Sequence, residues 1–165
     1  MVPVSSGTGK LNDDSDEFSM NGRIADGAAG EGWAVLHPED RFNEANGPFF
    51  ADPAFEGTAS EPARIGFRVR GHNCSFAGTC HGGVIASALD IALGHSAQAA
   101  SGASHAPTIS LSVDFLAAAK EGDWLESRVR ILRTTRSLVF ADGTLVGPDG
   151  PVARASGVFK IPRQD

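Results

Sequence analysis

Cysteine is scarce in this chain of 165 residues: Cys74 and Cys80 are the two present, too few for a disulfide framework. Positive charge is also in deficit. Fourteen Lys and Arg against 20 Asp and Glu leave a net charge of −6, which makes the chain a poor candidate for holding nucleic acid by charge, since phosphate binding needs clustered cations. Long apolar runs are missing too. The most apolar stretch, Val84 to Leu93, is short and carries Asp90, so no membrane-spanning segment is expected. The first ten residues have no apolar run of the secretory kind, and the expectation is a cytoplasmic protein. With 41% hydrophobic and 21% charged residues, the composition is that of a globular chain. Its length fits one domain, large enough to bury a core.

Three stretches differ in character. Residues 1–25 are polar and rich in Ser, Gly and Asp, and read as a flexible tail. Residues 26–60 mix Gly and Pro with Trp33, Phe42, Phe49, Phe50 and Phe55, aromatics that call for packing on the main body. A short helix or turn fits around Pro38 to Ala45. From residue 61 to 165 the pattern is regular. Ile65, Phe67 and Val69 alternate with smaller or charged residues, as a half-buried strand does. Gly82 to Ala100 carries apolar residues at helical spacing, with Gly102 just past its end. Four strand-like stretches follow, near 109–115, 123–135, 138–146 and 152–161, with a turn at Pro148-Asp149-Gly150. One helix among antiparallel strands must bury its apolar stripe in the sheet, which makes the fold class α+β.

Two features bear on chemistry. Asp90 stands among apolar neighbours, and a buried unpaired carboxylate is costly, so it must be paired, open to a cleft, used in a reaction, or turned to solvent. Ahead of the helix lies His81-Gly82-Gly83, where free backbone N–H groups and the positive end of the helix dipole suit an anion or oxyanion.

At this point the chain resembles the hotdog-fold acyl-CoA thioesterases of the phenylacetate-pathway type. The resemblance rests on His81-Gly82-Gly83 with Asp90 nine residues after the histidine, on Thr108 to Leu116, on Lys120-Glu121-Gly122-Asp123, and on Asp149-Gly150 with Val152 to Ala155. It covers about residues 65–161 and implies an antiparallel sheet wrapped around one long central helix. It also implies roles. Asp90 corresponds to the catalytic carboxylate, acting as general base or nucleophile. Gly82 corresponds to the backbone N–H that binds the thioester oxygen. Thr108 corresponds to the hydroxyl that orients the attacking water, and His81 to a positioning residue, with Gly83 beside the substrate. Where the family commonly has an asparagine contacting the thioester, six residues before the histidine, this chain has Ser75; Asn73 lies two residues upstream, so either could take that part. A second departure is Ala117-Ala118, where the family often has Arg-Pro. Arg136 matches an arginine the family often carries just before the fourth strand, placed for the phosphates of coenzyme A.

The helix geometry adds its own deduction. Gly82 and Asp90 are eight residues apart, or about 12 Å along a helix. An attacking water must lie about 3 Å from the carbonyl carbon, so one chain does not serve both roles in one site. A second copy of the helix, antiparallel across a two-fold axis, resolves this, and the expectation is a homodimer or a dimer of dimers. The expected partner is an acyl-CoA substrate, with no nucleic acid, no membrane, no cofactor and no metal. His72, Cys74, Cys80 and His81 have metal-ligand types but lack paired Cys-x-x-Cys spacing. No Gly-x-Ser-x-Gly elbow is present, and Ser6-Gly7-Thr8-Gly9-Lys10 lacks the flanking residues of a phosphate loop. The competing reading is a non-catalytic acyl-CoA-binding hotdog module.

Overall fold

The computed structural model describes residues 31–55, 57–58 and 60–162; the expected tail and the Ser6 to Lys10 stretch lie outside them. One seven-stranded antiparallel sheet, in the order β1-β2-β3-β5-β6-β7-β4, curls around one long helix. The strands are β1 (Ala34–Val35), β2 (Phe50–Ala51), β3 (Ile65–Arg68), β4 (Thr108–Phe115), β5 (Trp124–Thr134), β6 (Leu138–Gly147) and β7 (Gly150–Lys160). The helices are α1 (Arg41–Asn46) and α2 (Gly82–Ser101), with a short 3₁₀ turn over Gly71–Asn73. From residue 61 onward this is the strand, helix, four-strand order expected from periodicity. No helix among the described residues is long and apolar enough to cross a membrane.

The core forms where α2 meets the sheet. Ile85, Ala88, Leu89, Ala92, Leu93 and Ala97 recur at helical spacing and pack on Phe67, Leu125, Val139, Leu145, Ala153 and Phe159. Alternation along each strand turns these sheet residues to one face. Gly143 lets the helix lie close, because a Cβ there would stand 3.2 Å from Leu93 Cδ2 and 2.9 Å from the Arg128 carbonyl oxygen. Gly102, with φ 67°, ends α2 in the left-handed region that glycine occupies without strain.

The segment before β3 adds two short strands to the sheet edge and covers part of the opposite sheet face. Its aromatics do the covering: Trp33 and Phe50 stand 5.3 and 5.7 Å, centroid to centroid, from Trp124. Helix α1 begins at Asp40, whose Oδ1 accepts from the Phe42 and Asn43 amides.

Strand β4 ends the sheet on the other side. Among the described residues it pairs with β7 alone, and Ile109 and Phe115 are more than half exposed along it.

Candidate active site

The start of α2 is built by a hairpin-like loop. The His81 amide donates to the Asn73 carbonyl and the Cys80 amide to the Ala119 carbonyl, which fixes the chain just before the helix. His81 is the N-cap, and its Nδ1 accepts from the Gly83 amide at 2.9 Å. Nδ1 is therefore the unprotonated ring nitrogen, and in the neutral ring Nε2 carries the hydrogen. The His81 carbonyl accepts from the Val84 and Ile85 amides. Among the described residues this leaves Gly82 as the one first-turn amide without a partner. A Cβ on Gly82 would stand 3.2 Å from the Phe115 ring, so the ring lies close against the helix start and would have to shift by a few tenths of an ångström for a larger residue. Sequence reasoning did not single out Phe115 for this contact, because it joins residues far apart in the chain.

Asp90 lies two turns further along, half-buried, and its Oδ1 accepts from the Thr108 hydroxyl at 2.8 Å. A β-bulge makes this contact possible. Thr108 pairs with Phe159 and Ser110 with the adjacent Val158, so Ile109 is the extra residue. Without it Thr108 and Ser110 would share a face; with it Thr108 turns toward α2. Asp90 is thus paired while its Oδ2 stays without a partner among the described residues.

The remaining expected residues divide between the helix start and the Asp90–Thr108 contact further along. Asn73 is buried, at 1% exposure. Its Oδ1 accepts from the Arg70 amide and its Nδ2 donates to the Asn46 carbonyl, so its amide is committed to holding the 3₁₀ turn against the end of α1. Ser75 is half-buried, and its Oγ accepts from the Ala77 amide, keeping its hydroxyl hydrogen to donate. Arg136 is exposed in the turn between β5 and β6. Its neighbour Ser137 accepts from the Ile161 amide, and Pro107 accepts from the Lys160 amide, which sets the Arg136 turn at the Thr108 end of the sheet. One chain therefore carries two separated groups: Gly82, Gly83, His81 and Ser75 at the helix start, and Asp90, Thr108 and Arg136 beyond.

Other polar sites are distinct from these. Arg130 pairs with Asp142, and Arg154 with Asp114, around an open hollow of about 560 Å³ on the sheet face away from α2. His72 Nε2 lies 3.2 Å from the Gly47 carbonyl oxygen. Among the described residues no three His, Cys, Asp or Glu side chains are grouped to hold a metal ion.

An antiparallel sheet wrapped around a single long helix is the hotdog architecture. The pattern of the thioesterase superfamily matches residues 77–153. The Pseudomonas aeruginosa protein named "Putative esterase PA0474" is 33% identical over 134 residues, 80% of this chain and 96% of that protein. The structure of smu.793 from Streptococcus mutans UA159 bound to acetyl CoA is similar at a TM-score of 0.65 and 22% identity, over 78% of this chain and 97% of that one. A mutant of the phenylacetic acid degradation protein PaaI from Thermus thermophilus is similar at a TM-score of 0.65 and 21% identity, over 74% and 100% of the two chains. The chain belongs to the thioesterase superfamily.

Proposed function

We propose that the protein is an acyl-CoA thioesterase acting as a homodimer, or as a dimer of dimers, with each site shared between two subunits. The observation that carries this reading is Asp90, an acid in an apolar helix, bonded by Thr108 on the flank of α2 that faces the open β4 edge. Pairing two such edges across a two-fold axis sets the helices antiparallel. The Gly82 amide of one subunit then meets Asp90 of the other. The smu.793 structure with acetyl CoA supports a coenzyme A ester as the ligand class.

In the base mechanism, a water donates hydrogen bonds to Asp90 Oδ2 and to a lone pair on Thr108 Oγ1. Asp90 takes a proton as the water oxygen attacks the thioester carbon. The negative charge that develops on the carbonyl oxygen is held by the Gly82 N–H across the seam. The C–S bond breaks, the acid is released, and coenzyme A leaves as a thiolate that takes up the proton from Asp90. In the nucleophilic variant, Asp90 attacks first and forms an anhydride, which water then cleaves. Ser75, with a hydroxyl hydrogen to donate, takes the thioester contact, because the Asn73 amide is already engaged. Arg136 meets the coenzyme A phosphates as a forked donor.

The test is thiol release from a panel of acyl-CoA esters by the wild type and Asp90→Asn. The wild type is expected to turn over at least one ester, and the variant to lose about a hundredfold or more in kcat. Equal rates reject the assignment. The committed Asn73 amide favours one second reading, a non-catalytic acyl-CoA-binding module; it requires saturable acyl-CoA binding with no thiol released by the wild type.

A further inference from the structure

We propose that Cys74 and Cys80 are a site of reversible disulfide formation that controls the start of α2. The two residues face each other in an isolated antiparallel bridge that closes the Ser75 to Thr79 turn. The bonds flanking them run from the Ser75 amide to the Thr79 carbonyl and from the His81 amide to the Asn73 carbonyl. That pattern makes Cys74 and Cys80 a non-hydrogen-bonded pair, with side chains on one face of the ladder. Such pairs stand about 4.5 Å apart between Cα atoms, within the roughly 4.4–6.8 Å that a disulfide spans. Both thiols are free, Cys74 half-buried and Cys80 buried.

The two sulfurs differ in reactivity. Burial first, and then the neighbouring Cys74, push the Cys80 thiol up to about 12. Cys74 is the more accessible, so it is the one that meets hydrogen peroxide. Its thiolate attacks the peroxide O–O bond and becomes a sulfenic acid, and hydroxide leaves and is protonated to water. The Cys80 sulfur then displaces the sulfenic oxygen, which leaves as a second water; the S–S bond forms as the Cys80 S–H proton is lost. The pair has then given up two electrons and two protons.

The consequence for the helix follows from where the Cys80 sulfur sits in the reduced pair. Its Sγ lies 3.9 Å from the His81 carbonyl oxygen, the same oxygen that accepts the Val84 and Ile85 amides. The Cys74 Sγ is likewise turned to the Arg70 carbonyl, at 3.5 Å. Joining the sulfurs draws both from these carbonyls and pulls on the residue directly before His81 and Gly82. The chemistry of the cysteine pair is independent of the thioesterase reading; its effect on turnover rests on that reading.

The experiment treats the full-length protein with hydrogen peroxide, blocks remaining thiols, and maps the peptides by mass. Expected is a Cys74–Cys80 link, lighter by about 2 Da than the reduced pair and reversed by a dithiol. Backbone amide exchange at residues 81–85 is expected to change with oxidation and to return on reduction. Acyl-CoA turnover is expected to fall about tenfold or more and to recover. Cys74→Ala and Cys80→Ala are expected to show no reversible change, with Cys74→Ala keeping the reduced wild-type rate. Absence of the linked peptide while the chain stays folded overturns the proposal. A link that leaves both the exchange and the turnover unaltered overturns the control of the helix start. Wild type without turnover on any ester counts against the thioesterase reading alone, and the link and exchange still decide this proposal.

Discussion

Replacing Thr108 by valine removes the hydroxyl that bonds Asp90 while keeping a branched side chain of nearly the same volume. Steady-state kinetics with Thr108→Val are expected to show kcat lowered by about tenfold or more with little change in thermal stability. Ser96 is a different kind of single-residue case. It is fully buried on α2, and its Oγ has no hydrogen-bond partner among the described residues. A buried hydroxyl left unpaired opposes folding, and alanine is the better helix former. Ser96→Ala is therefore expected to raise stability by about 1 kcal/mol in denaturant titration, and a loss would show that the hydroxyl has a partner in solution. At this scale Asp90 was legible in the sequence because an acid among apolar residues needs an explanation. The engagement of Asn73 was not, because its partner is the Asn46 carbonyl 27 residues earlier, brought close only by folding. Nor was Ser96, since a serine on a helix has no sequence mark that separates paired from unpaired.

Helix α2 and strands β4 to β7 were legible because a period of 3.6 or 2 in apolar residues is set by the burial of one face. Strands β1 and β2 are two residues each, too short for any period, and their place beside β3 is fixed by pairing alone. The bulge at Ile109 is hidden for a similar reason: Thr108 and Ser110 look equivalent in an alternating run, and only the partner strand tells them apart. Where the segment before β3 meets β5 lies a carboxylate with a measurable signature. Glu126 is buried, and burial raises its pKa despite Arg64, Arg128 and the Trp124 side chain, which act in the other direction. Arg64 Nη1 stands 3.7 Å from Glu126 and 3.9 Å from Asp52. A raised folded-state pKa means the proton is held more tightly when folded. Glu126 thus stabilises relative to its ionised state below its ordinary value of 4.5, and this contribution is lost as pH rises through the folded value. Glu126→Gln is expected to lack that loss, so the melting-temperature difference between variant and wild type grows in the variant's favour from acid toward neutral pH. A constant difference across that range would refute it.

Whole-molecule behaviour turns on whether Gly82 and Asp90 of one chain work in one site or in two. Mixing two variants, each expected to be inactive under the proposed function, decides this. If Asp90→Asn and Gly82→Val subunits are unfolded and refolded together, a site shared as proposed gives the mixed dimer one site with both defects and one with neither. About a quarter of wild-type turnover is then expected from a statistical mixture. Recovery of none, with mixed dimers shown to form, would place both residues in the same chain's site. The two edges of the sheet bear on the same question. On the β4 side eight residues of backbone lie open, whereas on the other side the sheet tapers through β2 to β1, two residues each. Such stubs offer too few main-chain groups to template a further strand. Among the described residues, then, each subunit has one adhesive margin and one blunt one. If two adhesive margins meet, no edge of comparable length is left among the described residues for a further strand to join, and the two short strands then act as a guard against edge-to-edge growth into a filament.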